Sequence, residues 1–111
     1  MSFDPMAEAI DWLDAYRAGD ISIVDMYAHD AALDCGCSGG STFRSRGAIR
    51  DYWKHRFVRA PAGELLNLYM DGSAVALSYR VPAATVLAIL TFNDAGKIVR
   101  STCGPIGPQQ H

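Results

Sequence analysis

The chain has 111 residues, half of them hydrophobic and a fifth charged, with a formal net charge of -2. That length gives one domain with a real core and leaves no room for two. The charge argues against a general nucleic-acid binder, and no apolar run approaches the roughly twenty residues that span a bilayer, so neither nucleic acid nor membrane is an expected partner.

Three cysteines, an odd number, suit reduced thiols better than a disulfide framework. Met1-Ser2-Phe3-Asp4-Pro5 lacks the basic and then apolar layout of a signal peptide. A cytoplasmic location is the expectation.

Asp4-Pro5 predicts a helix start, with Asp4 as N-cap and Pro5 at the first helical position. Met6, Ala9, Ile10, Leu13 and Tyr16 or Arg17 then recur at three and four, and Trp12 and Tyr16 share one side. Gly19 is expected as a left-handed C-cap, and Asp20 as the cap of a second helix reaching about Ala28. Residues 31–35 read as a short strand, and the glycine- and serine-rich residues 36–45 as a loop. A third helix is expected from about Gly47 to Arg59, with Ile49, Tyr52, Trp53 and Phe57 on one face and Arg46, Arg50 and Lys54 on the other.

The rest is strand signal: residues 65–70, 74–81, 85–92 and 97–103, with Asp71-Gly72 favouring a hairpin and Asn93-Asp94-Ala95-Gly96 a second turn. Residues 4–104 are expected to form the domain and residues 105–111 a flexible tail. Helices first and strands after argue an α+β fold, with three N-terminal helices packed on one face of a curved, mainly antiparallel sheet.

A sheet with one wet face should alternate apolar and polar residues. Thr85-Val86-Leu87-Ala88-Ile89-Leu90-Thr91-Phe92 hardly alternates, and Ala74-Val75-Ala76-Leu77 is similar. Helices cover one face only, so a homodimer through the outer sheet face is expected.

Three segments carry a likeness: Ala15-Tyr16-Arg17-Ala18-Gly19-Asp20, then Met26-Tyr27-Ala28-His29-Asp30-Ala31, then Arg46-Gly47-Ala48-Ile49-Arg50-Asp51-Tyr52-Trp53. In this order the chain resembles the nuclear transport factor 2-like superfamily, and within it the SnoaL-like group of polyketide cyclases and relatives of ketosteroid isomerase. Phe92-Asn93-Asp94-Ala95-Gly96-Lys97-Ile98 is similar to the final hairpin of those proteins. The resemblance implies a cone-shaped barrel with a deep, mostly apolar cavity, often in a dimer. It does not settle function, because the fold hosts isomerases, cyclases, hydrolases and transport factors.

Carried over by motif, the isomerase's oxyanion tyrosine falls at Trp12, its base at Cys35 with Asp34 beside it, and its protonated acid at Ala88. An indole donates but is no strong acid, and an alanine does nothing. Arg80 and Arg100 are expected to point outward, so the Asp-Arg-Asp set of the epoxide hydrolases of this fold has no equivalent here. The expected ligand-binding residues are Trp12, Tyr16, Tyr27, Cys35, Trp53, Leu77, Tyr79, Ala88 and Cys103, with Ser101 also aligned inward.

Asp34 is the best candidate base, with Tyr16 or Tyr27 as proton donor; the structural alternative for Asp34 is a strand-end carboxylate bonded to the loop. Cys35-Gly36-Cys37 with Cys103 is spaced too tightly for a usual zinc set and would need His29 or His55 as a further ligand, so no metal or cofactor is expected. Arg44, Arg46, Arg50, Lys54, Arg56 and Arg59 form a solvated helix face or a strip steering an anion to the mouth. Three readings follow: a binder of a small apolar or aromatic metabolite, an enzyme using Asp34, or a non-catalytic dimerisation module.

Overall fold

The computed structural model describes residues 4–36 and 41–106. Cys37, the glycines at 39 and 40, and residues 107–111 of the expected tail lie outside the described residues. Helix α1 (Pro5–Ala18) forms for the local reasons its sequence gives. The Asp4 carboxylate accepts from the amides of Met6 and Ala7, and Gly19 at φ 65 closes the other end through the carbonyls of Ala15 and Tyr16. Its buried stripe is Ala9, Trp12, Leu13 and Tyr16. Ile10, expected on that stripe, is instead 41% exposed.

The second helix is a short 3₁₀ helix, Ile21–Met26, capped by the Asp20 side chain on the Ser22 amide. It ends earlier than the sequence suggests, and strand β1 (Tyr27–Cys35) begins at once. Two long-range facts decide that boundary: Tyr27 pairs with Ile98, and its ring is buried. Strand β2 (Ser41–Phe43) runs antiparallel to β1 inside the expected loop. Helix α2 (Arg46–Arg59) follows, with Ser45 as N-cap.

Strands β3 (Leu65–Asp71), β4 (Ala74–Val81), β5 (Ala84–Phe92) and β6 (Ile98–Ile106) complete the element list. Asp71 pairs with Ala74, so the first hairpin turns on Gly72-Ser73, one residue later than Asp71-Gly72. Gly72 takes the positive φ that the first loop position of a type II′ turn needs. Strand β6 extends beyond Cys103 because Val86 and Thr85 pair with Pro105 and Ile106.

The six strands lie in the order β2-β1-β6-β5-β4-β3, with β1 parallel to β6 and every other neighbour antiparallel. The helices pack on the face that carries Val75, Leu77 and Tyr79 of β4 with Val86, Ala88 and Leu90 of β5. The opposite face carries Ala76, Ser78, Leu87, Ile89 and Tyr69, with Leu87 and Ile89 half-exposed. Apolar residues on both faces explain why β5 does not alternate. Among the described residues no helix is long and apolar enough to cross a membrane.

Candidate ligand site in the cone

Aromatic side chains fill the space between helices and sheet. Trp12 meets Tyr16, Trp53 and Tyr79 edge to face, with ring centroids 5.8, 5.6 and 6.1 Å apart, and Tyr16 meets Trp53 at 4.8 Å and Tyr79 at 5.5 Å. Such pairs add about 0.5–1.5 kcal/mol each beyond the area they bury. Every expected ligand residue joins this one cluster: Trp12, Tyr16, Tyr27, Cys35, Trp53, Leu77, Tyr79 and Ala88 as buried members, with Cys103 packed against them.

Within the cluster a small cavity opens, with a volume of about 10 Å³. Trp12, Trp53, Tyr79, Ala88 and Cys103 line it, together with Leu33, Tyr52, Ser101 and Thr102. Tyr16, Tyr27, Cys35 and Leu77 belong to the cluster but do not line this cavity. The volume suits one water-sized group.

Tyr27 is the polar node of the interior. Its hydroxyl accepts from the Trp12 indole at 3.3 Å and shares a hydrogen bond of 3.0 Å with Ser101 Oγ. Burial pushes the Tyr27 phenol up to about 12, against the opposing hydrogen bonds from Ser101 and Trp12. The Trp53 indole N–H lies near enough to the same oxygen to favour its ionised form. It nevertheless makes no hydrogen bond, and is the one buried side-chain nitrogen or oxygen among the described residues without a partner. Trp53 is also one of the residues that line the cavity.

A second polar group forms where α2 ends. Arg56 Nε donates to the Tyr16 hydroxyl at 2.8 Å, and that hydroxyl donates to the carbonyl of Ala60. Burial raises Tyr16 to about 12, with the Arg56 charge pulling the other way, and raises Tyr79 well above its ordinary value. Tyr52 is raised as well, by burial first and then by the neighbouring Cys103 thiol. These phenols keep their protons through the physiological range, so they act as donors and not as bases. Arg56, expected on a solvated strip, turns inward. The spacing Ile49, Tyr52, Trp53, Arg56, Phe57 could have shown this, since it is one helical face. Arg46 also leaves the strip, to pair with Asp25 at 2.8 Å and to donate to the Tyr27 carbonyl. Arg44, Arg50, Lys54 and Arg59 remain exposed.

On β1 the two candidates separate by face. Leu33 and Cys35 point inward and are fully buried. Asp34 points to the opposite side, accepts from Thr42 Oγ1 at 2.7 Å and pairs with Arg100. The Asp34 carboxylate therefore sits on the outer face near the end of β1 and does not line the cavity. Inside, the Tyr52 hydroxyl lies 3.6 Å from both Cys35 Sγ and Cys103 Sγ. Tyr52 was not among the expected ligand residues, although its place beside Trp53 on α2 puts it there. Arg80 is exposed and pairs with Glu64, on the outer side where it was expected. His29 is exposed, and His55 faces the carbonyl of Asp51 on its own helix. No group of three or more His, Cys, Asp or Glu comes together among the described residues to hold a metal.

No protein-family model matches the chain, and no curated protein does. Solved structures do. A SnoaL-like protein of unknown function from Burkholderia thailandensis aligns with a TM-score of 0.79 at 19% identity, over 93% of this chain and 95% of that one. An NTF-2 like protein of unknown function from Burkholderia xenovorans aligns with a TM-score of 0.74 at 21% identity, over 94% of this chain and 84% of that one. Identities this low speak for the fold alone. With three helices against one face of a curved six-stranded sheet, this chain has the α+β cone fold of SnoaL-like and NTF-2-like proteins.

Proposed function

We propose that this protein binds a small apolar or aromatic metabolite in the cone, and holds it by an acceptor oxygen. The observation that carries this reading is the Trp53 indole N–H, a buried donor without a partner on the wall of a cavity. A buried polar group left unmade costs about 1–3 kcal/mol, and a ligand oxygen recovers that cost. The other hydroxyls on the wall, those of Ser101 and Tyr52, are protonated and able to donate. Such a wall suits a carbonyl or carboxylate and not a cation.

The cavity admits the oxygen itself, so the ring that follows must displace a side chain. Tyr52 is the one to move, because it is half-buried and its hydroxyl rests on two thiols at 3.6 Å, which are weak partners. Thermal shift with acetophenone, benzoate and ethylbenzene tests the reading. Acetophenone or benzoate should raise the melting temperature where ethylbenzene, matched in size without oxygen, does not, and Trp53→Phe should erase the difference. Equal shifts from all three, or none, would sink it.

The half-exposed Leu87 and Ile89, on the outer sheet face that also carries Tyr69, favour a homodimer as the working form. Light scattering tests this: wild type should run at twice 12.0 kDa, and Ile89→Glu at 12.0 kDa. A wild-type protein at 12.0 kDa throughout would exclude the dimer. The alternative of a cyclase, isomerase or hydrolase working through Asp34 requires substrate on the outer face, beside Arg100.

A further inference from the structure

The parallel ladder between β1 and β6 sets Cys35 opposite Cys103. Both sulfurs lie against one oxygen, the Tyr52 hydroxyl, at 3.6 Å each. Neighbouring strands stand about 4.8 Å apart, inside the Cα separation of about 4.4–6.8 Å that a disulfide bridges. The backbones are tight at this point, since a Cβ built on Gly36 would stand 3.0 Å from the Cys103 carbonyl oxygen. The two thiols differ in access: Cys35 is fully buried and Cys103 is half-buried.

We propose that Cys35 and Cys103 are a redox pair, closed to an intramolecular disulfide by exchange with a small-molecule disulfide such as oxidised glutathione. Cys103, the less buried of the two residues, is the entry point, and its thiol meets the reagent when the Tyr52 side chain moves off it. Its thiol loses a proton to water, and the thiolate attacks one sulfur of oxidised glutathione and releases one glutathione thiolate. Cys35 then loses its proton and attacks Cys103 Sγ, a new S–S bond forms, and the second glutathione leaves. The protein dithiol gives up two electrons, and one glutathione disulfide becomes two thiols. Closure links β1 to β6 covalently and takes both thiols from the Tyr52 hydroxyl. Because Cys103 lines the cavity, the bond also reshapes the wall. The inference stands on the register and the sulfur contacts, and does not depend on the ligand.

The chain has three cysteines, so Cys37→Ser leaves only this pair. The full-length variant is incubated with oxidised glutathione, quenched in acid, and read by intact mass and non-reducing electrophoresis. The expected product is a monomer lighter by two hydrogen atoms, restored by dithiothreitol and absent when Cys103→Ser is added. Cys37→Ala serves as a second background should serine disturb folding, with near-ultraviolet circular dichroism as the check. Two unreacted thiols, stable glutathione adducts, or covalent dimers alone would overturn the proposal.

Discussion

Asp34 and Arg100 form an ion pair on the sheet face that points away from the helices, one residue along the strand from the buried Cys35. A step of one residue reverses the facing of a side chain, so the ladder that buries Cys35 necessarily turns Asp34 out. The pair is partly solvated, with side chains 25% exposed for Asp34 and 53% for Arg100. Asp34→Asn should therefore cost about 1 kcal/mol or less in urea unfolding. It should leave acetophenone and benzoate binding unchanged, and a lost thermal shift would return Asp34 to the site.

Tyr27→Phe should be more damaging. It removes the acceptor of the Trp12 indole and the partner of Ser101, both buried, and should cost about 1–3 kcal/mol at neutral pH. The same residue gives an alkaline signature. Its phenol stands near 10 when unfolded and at about 12 when folded. The folded state thus holds the proton more tightly, and this stabilisation is intact below pH 10 and lost as pH rises through 12. Tyr16 contributes with the same sign. Urea unfolding on both sides of this window should show the fall, and Tyr27→Phe should make it shallower.

Tyr16→Phe isolates the junction at the end of α2, where the hydroxyl takes a bond from Arg56 and gives one to Ala60. We expect a loss of about 1–3 kcal/mol, because the Ala60 carbonyl loses a donor and the Arg56 guanidinium loses one of its acceptors together. Hydrogen exchange should place the loosened amides near Ala60, whose own amide bonds the Arg56 carbonyl. A change spread evenly over the chain would contradict that.

Gly19→Ala tests the bend between α1 and the 3₁₀ helix. At φ 65 an alanine is strained although nothing crowds its Cβ, so the cost should be conformational only, about 1 kcal/mol in thermal unfolding.

The caps at Asp4, Gly19 and Asp20 were legible because each is a local device, read from a residue and the few amides beside it. The α+β order and the inward aromatics were legible for a similar reason, since helical spacing collects Trp12 and Tyr16, and Trp53 and Phe57, on single faces. What was not legible depended on distant pairing. Tyr27 could extend a helix or open a strand until Ile98 pairs with it. Asp34 and Cys35 could exchange faces until Thr42 and Arg100 hold the carboxylate outside. Arg56 had the spacing of the buried face, but its charge placed it in the solvated strip, and its tyrosine partners come from other elements.

Strand β6 lies between β1 and β5, and among the described strands it joins the β2-β1 pair to the β5-β4-β3 meander. A nascent chain therefore carries two incomplete sheets until β6 leaves the ribosome. Tyr27, made early, waits for Ile98 and Ser101 before its ring and hydroxyl are satisfied. Contacts so distant in sequence slow folding and expose unpaired edges meanwhile. Truncation before Ile98 should thus yield an aggregating fragment in place of a smaller cone.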